Sequence, residues 1–187
     1  MRRTATALVL AAAVALALAG CAGGSSPSAT IGGSPEVIPA TPSPTISLAP
    51  ATAASCDGVF VTVQFGILRA ADVNLCAKTT EPITAAAALD KVGVSVAGTQ
   101  KYGDQVVCRV NGVPSASKPI DVPGHDPYTE TCASMPAAYA YWAVWVRDSP
   151  TGTWDYAASS ITTQQLKPGQ TLGLKFTTGT DTAPPQG

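Results

Sequence analysis

Six of the eleven aromatic residues, Tyr139, Tyr141, Trp142, Trp145, Trp154 and Tyr156, fall within eighteen consecutive positions. Tyrosine and tryptophan join a large apolar area to a polar handle, so such a concentration suits a binding surface. A period of two places Tyr139, Tyr141, Ala143, Trp145 and Arg147 on one face of a strand, and Ala140, Trp142, Val144 and Val146 on the other. The Trp142 face is expected to enter a core. The opposite face, joined by Trp154 and Tyr156 across a hairpin, is expected to hold a flat ligand, a glycan or a partner protein. The competing expectation is burial beneath residues 113–131.

Residues for covalent or acid–base chemistry are sparse. His125 is the only histidine and lies in Gly124-His125-Asp126-Pro127, where glycine, aspartate and proline already suffice for a turn. Serines and threonines are plentiful, but no nucleophile elbow or Ser-x-x-Lys pattern surrounds any of them. Carboxylates are scattered without a spacing that suggests paired acid–base work. The expectation is a non-enzymatic chain with neither metal nor cofactor.

The cysteines carry the clearest covalent signal. Leu18-Ala19-Gly20-Cys21 closes an apolar run that follows Arg2 and Arg3. This resembles the bacterial lipoprotein signal, whose lipobox cysteine is diacylglycerylated and becomes the new N-terminus. The run is shorter than the roughly 20 apolar residues of a membrane span. The twin arginine lacks a Tat-like continuation, so the Sec route is expected. The resemblance implies an exported chain anchored through Cys21 to the outer face of the cell membrane, two acyl chains sufficing for stable anchoring. Five cysteines then leave four, Cys56, Cys76, Cys108 and Cys132, for two disulfides in an oxidising exterior. No Cys-x-x-Cys favours zinc.

Removing residues 1–20 leaves 167, room for one domain. Net charge is −1 with 12% charged residues, and no basic stripe supplies the electrostatics of nucleic-acid binding. Residues 21–55 are rich in Ser, Pro, Thr, Ala and Gly and read as a disordered lipid-anchored linker. Residues 56–178 read as the folded domain and 179–187 as a disordered tail.

Within the domain, Val59–Phe65 alternates as a strand and Ala71–Ala77 returns antiparallel. A turn near Gly66 would set residues 56 and 76 opposite one another. Of three possible pairings this favours 56–76 with 108–132. Residues 80–93 read as a helix capped by Thr80 and closed by Gly93 in the left-handed region. Val94–Ala97 and Gln105–Val110 follow as strands, with a tight turn at Asn111-Gly112. Residues 113–131, with four prolines, read as a long surface excursion pinned by Cys132. Tyr139–Arg147, Trp154–Tyr156 and Thr171–Phe176 complete an α+β domain, one helix packed on a mixed sheet.

The order of VFVTVQF, TAAAALDKVG, Val107–Val113, Tyr141–Trp145, Trp154-Asp155-Tyr156 and Leu166–Gln170 resembles the DUF4430 group, whose relatives include the C-terminal β-domain of transcobalamin and intrinsic factor. It is most similar to the small exported actinobacterial type. The resemblance implies a β-grasp-like domain that binds a ligand or partner, with corrinoids as precedent. Imidazole is a common metal ligand, so His125 is the residue that would supply an axial ligand to a corrinoid cobalt. The chain departs from that group at Gly169-Gln170 and Leu172-Gly173-Leu174. The functional expectation is a surface-tethered lipoprotein that captures a small, corrinoid-like ligand for uptake. The alternative is a protein- or wall-interaction module with no small ligand.

Overall fold

The structure, a computed structural model, describes residues 51–186. The expected signal peptide, the lipid-bearing Cys21 and the linker as far as residue 50 lie outside the described residues. No helix among the described residues is long and apolar enough to cross a membrane.

Strand β1 (Gly58–Gln64) runs antiparallel to β2 (Val73–Lys78). On its other side it lies parallel to the closing strand β9 (Thr171–Thr178). β9 pairs antiparallel with β6 (Ala140–Arg147), and β6 with β7 (Trp154–Tyr156). The five-stranded sheet thus has the order β2-β1-β9-β6-β7. The α+β class is as expected: among the described residues, a small mixed sheet with one helix and two disulfides, Cys56–Cys76 and Cys108–Cys132. Residues 103–110 (β5) form a separate antiparallel ladder with Val96–Thr99 (β4).

The inner face of the sheet is apolar because its alternating residues are. Val59, Val61 and Val63 of β1, Leu172, Leu174 and Phe176 of β9, and Trp142 of β6 share one buried cluster with Ala85, Ala88 and Leu89 of the helix. Each is at most 6% exposed, so both layers are desolvated against each other.

The helix α1 is shorter than its sequence pattern, spanning Ala85–Lys91. Its cap is Thr84, whose hydroxyl accepts from the Ala87 N–H at 3.1 Å, and not Thr80. Pro82 biases the residue before it away from helix. Ile83–Thr84 (β3) instead pairs with Gln165–Leu166 (β8), a ladder the sequence reading missed. The Gln164 and Ile161 carbonyls accept from the Ala85 and Ala86 N–H groups, satisfying two orphan donors of the first turn. Gly93 closes the helix at φ +72, as expected.

Two further differences have local causes. The turn after β1 is not tight at Gly66: a 3-10 turn (Gly66–Leu68) and a left-handed Arg69 lengthen it. Cys76 therefore faces Phe60 in register, and Cys56 reaches it from just before the strand. The 113–131 excursion is not wholly superficial either. Its alternating Ile120 and Val122 are 5% and 4% exposed and belong to the core. The Asn111-Gly112 turn forms as expected, both residues at positive φ (50 and 75) and Val110 and Val113 exchanging backbone hydrogen bonds.

Candidate functional site

The outer face of the sheet is built in rows set by the strand register. One row runs Phe60, Thr171, Arg147, Trp154, and the next Thr62, Gly173, Trp145, Tyr156. Gln64, Lys175 and Ala143 form a third, followed by Thr177 and Tyr141. Five of the six residues singled out for binding therefore share this face: Tyr141, Trp145, Arg147, Trp154 and Tyr156.

Their contacts run across strands. The Trp145 and Tyr156 rings stack at 3.8 Å and 25°. The Arg147 guanidinium lies over the Trp154 ring at 4.5 Å, a cation–π arrangement. Burial, and secondarily Tyr156, raises the Tyr141 hydroxyl above the ordinary tyrosine value. Exposure is uneven: Trp145 and Arg147 are each 6% exposed, whereas Tyr156 is 54% exposed. The accessible part of the face is thus Tyr156 with half-buried Trp154 and Tyr141.

Gly173 sits at the centre, between Thr62 and Trp145. A Cβ there would stand 2.9 Å from a Trp154 ring carbon and 2.7 Å from Pro185 Cγ, both too close. The glycine makes a notch that Trp154 and Pro185 fill together. The sequence reading took Leu172-Gly173-Leu174 as a departure from a family pattern. A glycine inside a strand is also a signal of close approach, which would have pointed here.

Pro185 belongs to the segment expected to be disordered, and in the structure that segment lies against the sheet. Lys175 Nζ and Asp181 Oδ1 form an ion pair at 2.8 Å, and Thr178 and Asp181 exchange backbone hydrogen bonds that turn the chain back. The tail then crosses the outer face to bury Pro185. Gln64 grips its end: Oε1 accepts from the Gln186 N–H at 3.0 Å, and Nε2 donates to the Gln186 carbonyl at 3.0 Å. Composition alone suggested fraying because the hydrogen-bonding partner is 122 positions away in sequence.

Tyr139 leaves the group. It precedes β6, and its ring stacks on His125 at 3.7 Å and 9° while meeting the Tyr128 edge at 5.8 Å. His125 serves here as a packing ring that holds the excursion against the start of β6. The excursion also reaches Trp142, whose indole N–H donates to the Val113 carbonyl at 3.2 Å. It covers Tyr139 and the inner face rather than Trp145.

A polar knot anchors that excursion. Arg109 donates to the Pro114 carbonyl at 2.8 Å and to the Glu130 carbonyl at 2.6 Å. The Glu130 side chain, 4% exposed, accepts from the Cys132 N–H and from the Tyr128 hydroxyl, each at 2.6 Å. Cys108, Glu130 and Cys132 lie within 4.8 Å of one another, but both sulfurs are spent in a disulfide. Burial, with the Glu130 carboxylate, pushes the Tyr128 hydroxyl up to about 12. The neutral phenol is thus favoured by the fold. Its contribution is complete below the unfolded value near 10 and is lost as pH rises through the folded value. Alkaline unfolding followed by circular dichroism is expected to steepen between about pH 10 and 12. Tyr128→Phe is expected to remove that component while lowering stability at neutral pH.

Two clefts lie away from the notch. One of about 760 Å³ is bounded by residues 66–69 and 112–123, with Arg69, Lys118 and Asp121 as its charged lining. The other, about 360 Å³, opens beside Tyr141 and Tyr156 against 105–107 and 157–161.

No family model, no curated protein and no solved structure matches the chain.

Proposed function

We propose that the chain is a surface-tethered lipoprotein whose folded domain is a non-enzymatic recognition module, working through the outer face of its sheet. The observation that carries this reading is the cross-strand aromatic face arranged around a glycine notch that already holds a distant segment of chain. Aromatic residues with a neighbouring arginine are the types that dominate binding energy at interfaces. A strip-like face that already accepts an extended stretch of chain suits an extended protein or wall polymer better than an enclosed small molecule. Two disulfides are compatible with an exported setting.

Small-ligand capture, the corrinoid-like reading, is favoured by one separate observation. The 66–69/112–123 cleft has the volume of a small-molecule site and carries Arg69 and Lys118. The readings part under titration. Purified full-length chain would be titrated with soluble peptidoglycan fragments, extended peptides and cobinamide, following tryptophan fluorescence and the visible spectrum. Recognition on the outer face is expected to weaken about tenfold in Tyr156→Ala. Its thermal midpoint should stay within about 3 °C because the ring is largely exposed. Saturable binding of cobinamide alone, indifferent to Tyr156→Ala, would overturn the interface reading in favour of capture.

A further inference from the structure

The outer face is occupied by the chain's own C-terminal segment, and the manner of occupation says what else fits. Ala183 and Pro184 each precede a proline, which confines them to extended conformations, and each proline ring fixes its own φ. The segment Ala183-Pro184-Pro185 is therefore a pre-extended strip. Of this strip one ring is read: Pro185 is buried over Gly173 beside Trp154. At the next residue only backbone is read, the Gln64 amide taking both the N–H and the carbonyl of Gln186. A proline ring in an aromatic-walled notch with backbone bonds beside it is the chemistry by which extended proline-containing peptides are recognised.

The occupant is also an imperfect fit. Trp145 Nε1, Thr62 Oγ1 and Thr171 Oγ1 are buried polar atoms of this face with no hydrogen-bond partner among the described residues. Thr62 and Trp145 flank Gly173 directly in register. A buried donor left unpaired is costly, so a segment offering a carbonyl to the Trp145 indole would hold the face better than the tail does. Among the described residues the tail is tied to the sheet by the Thr178–Asp181 backbone bonds, the Lys175–Asp181 pair, the Pro185 notch and the Gln64 amide.

We propose that the notch formed by Gly173, Trp154, Trp145 and Gln64 is a docking site for an extended, proline-containing segment of a partner protein. Residues 182–186 act as an intramolecular competitor that a partner must displace. This inference rests on the outer face being the recognition surface and adds the class of partner and its regulation. The tail lowers the apparent affinity by the fraction of time it fills the notch. Removing it raises the affinity without changing any contact.

The test compares the full-length chain with one ending at Asp181, which keeps the Lys175 pair and the reversal at Thr178. The probe is a capped synthetic peptide with the sequence of residues 182–187, read by tryptophan fluorescence and by the Trp145 indole N–H resonance. The shortened chain is expected to bind it saturably, with a moved indole resonance, and the full-length chain about tenfold more weakly. Trp154→Ala in the shortened chain, or alanine for the second proline of the peptide, should abolish the response. A full-length variant carrying Pro184→Gly and Pro185→Gly provides the same comparison should truncation impair folding. If both open forms fold yet ignore the peptide while binding a wall fragment through Trp154, the inference fails and the recognition surface stands. Failure of every probe on folded open forms removes both. Self-association of the shortened chain that the peptide does not reverse also overturns the proposal, naming a second copy as the occupant.

Discussion

A Trp142→Ala variant is expected to lose about 3–5 kcal/mol of stability, because it removes the side chain on which separate parts of the core converge. The Trp142 ring meets Phe65 edge-on at 5.2 Å and Phe176 at 5.5 Å. Its indole N–H is bonded to the Val113 carbonyl, where the excursion begins. Truncation opens a cavity between the sheet and the turn after β1 and strips a partner from that carbonyl, an added cost of about 1–3 kcal/mol if it stays dry. Trp145→Ala, three positions along the same strand, is the control. It is equally buried, at 6% exposed, but lies on the outer face against Tyr156 and gives up no indole hydrogen bond among the described residues. Urea unfolding of the two variants is expected to show the larger loss for Trp142→Ala by about 1–2 kcal/mol. Equal losses would mean that the two faces of β6 are not energetically distinct.

That comparison marks what was legible in the sequence. Period-two alternation in the sequence places Trp142 on the inner side of the strand and Trp145 on the outer, because a strand permits only two sides. The same logic placed β1, β6, β7 and β9. The cysteine pairing was legible through a hairpin, although the loop proved longer and the facing residue of Cys76 is Phe60. Interactions between segments distant in sequence were not legible. Nothing near Pro185 indicates that Gln64 will bind the next residue or that Gly173 will receive its ring. Polar, proline-rich composition reports what a segment lacks for nucleating structure of its own, not whether a finished sheet offers it a surface. Ile120 and Val122 were passed over for the same reason: the surrounding prolines masked two apolar residues that a neighbouring core could take. The helix start was misplaced because Thr80-Pro82 has capping chemistry, and only the β3–β8 ladder shows why Thr84 is used instead.

Opening the Cys108–Cys132 disulfide is expected to have an effect of similar size, of a kind that Cys56–Cys76 does not share. By loop-closure entropy a cross-link over 24 residues contributes about 3.5 kcal/mol, and one over 20 residues nearly the same. Each pair replaced by alanines should therefore lower the thermal midpoint by roughly 10 °C. The native states respond differently. Cys56–Cys76 ties together a hairpin already held by the full register of β1 and β2. Cys108–Cys132 closes the excursion, where among the described residues the pairing is limited to two isolated bridges, Val110–Val113 at its start and Ile120–Tyr128 within it. Cys132 is also held in the left-handed region at φ +59, a conformation that a non-glycine residue leaves when the constraint is lifted. Without the disulfide, the Glu130 and Arg109 contacts must bear that strain, and local opening becomes the lowest-energy excursion from the native state. Asp121 stands exposed in the middle of the freed segment. Brief treatment with endoproteinase Asp-N under native conditions is thus expected to nick Cys108→Ala/Cys132→Ala before Asp121 and to leave Cys56→Ala/Cys76→Ala intact there. Equal resistance before Asp121 in both variants would show that the Arg109–Glu130 knot holds the excursion without the disulfide.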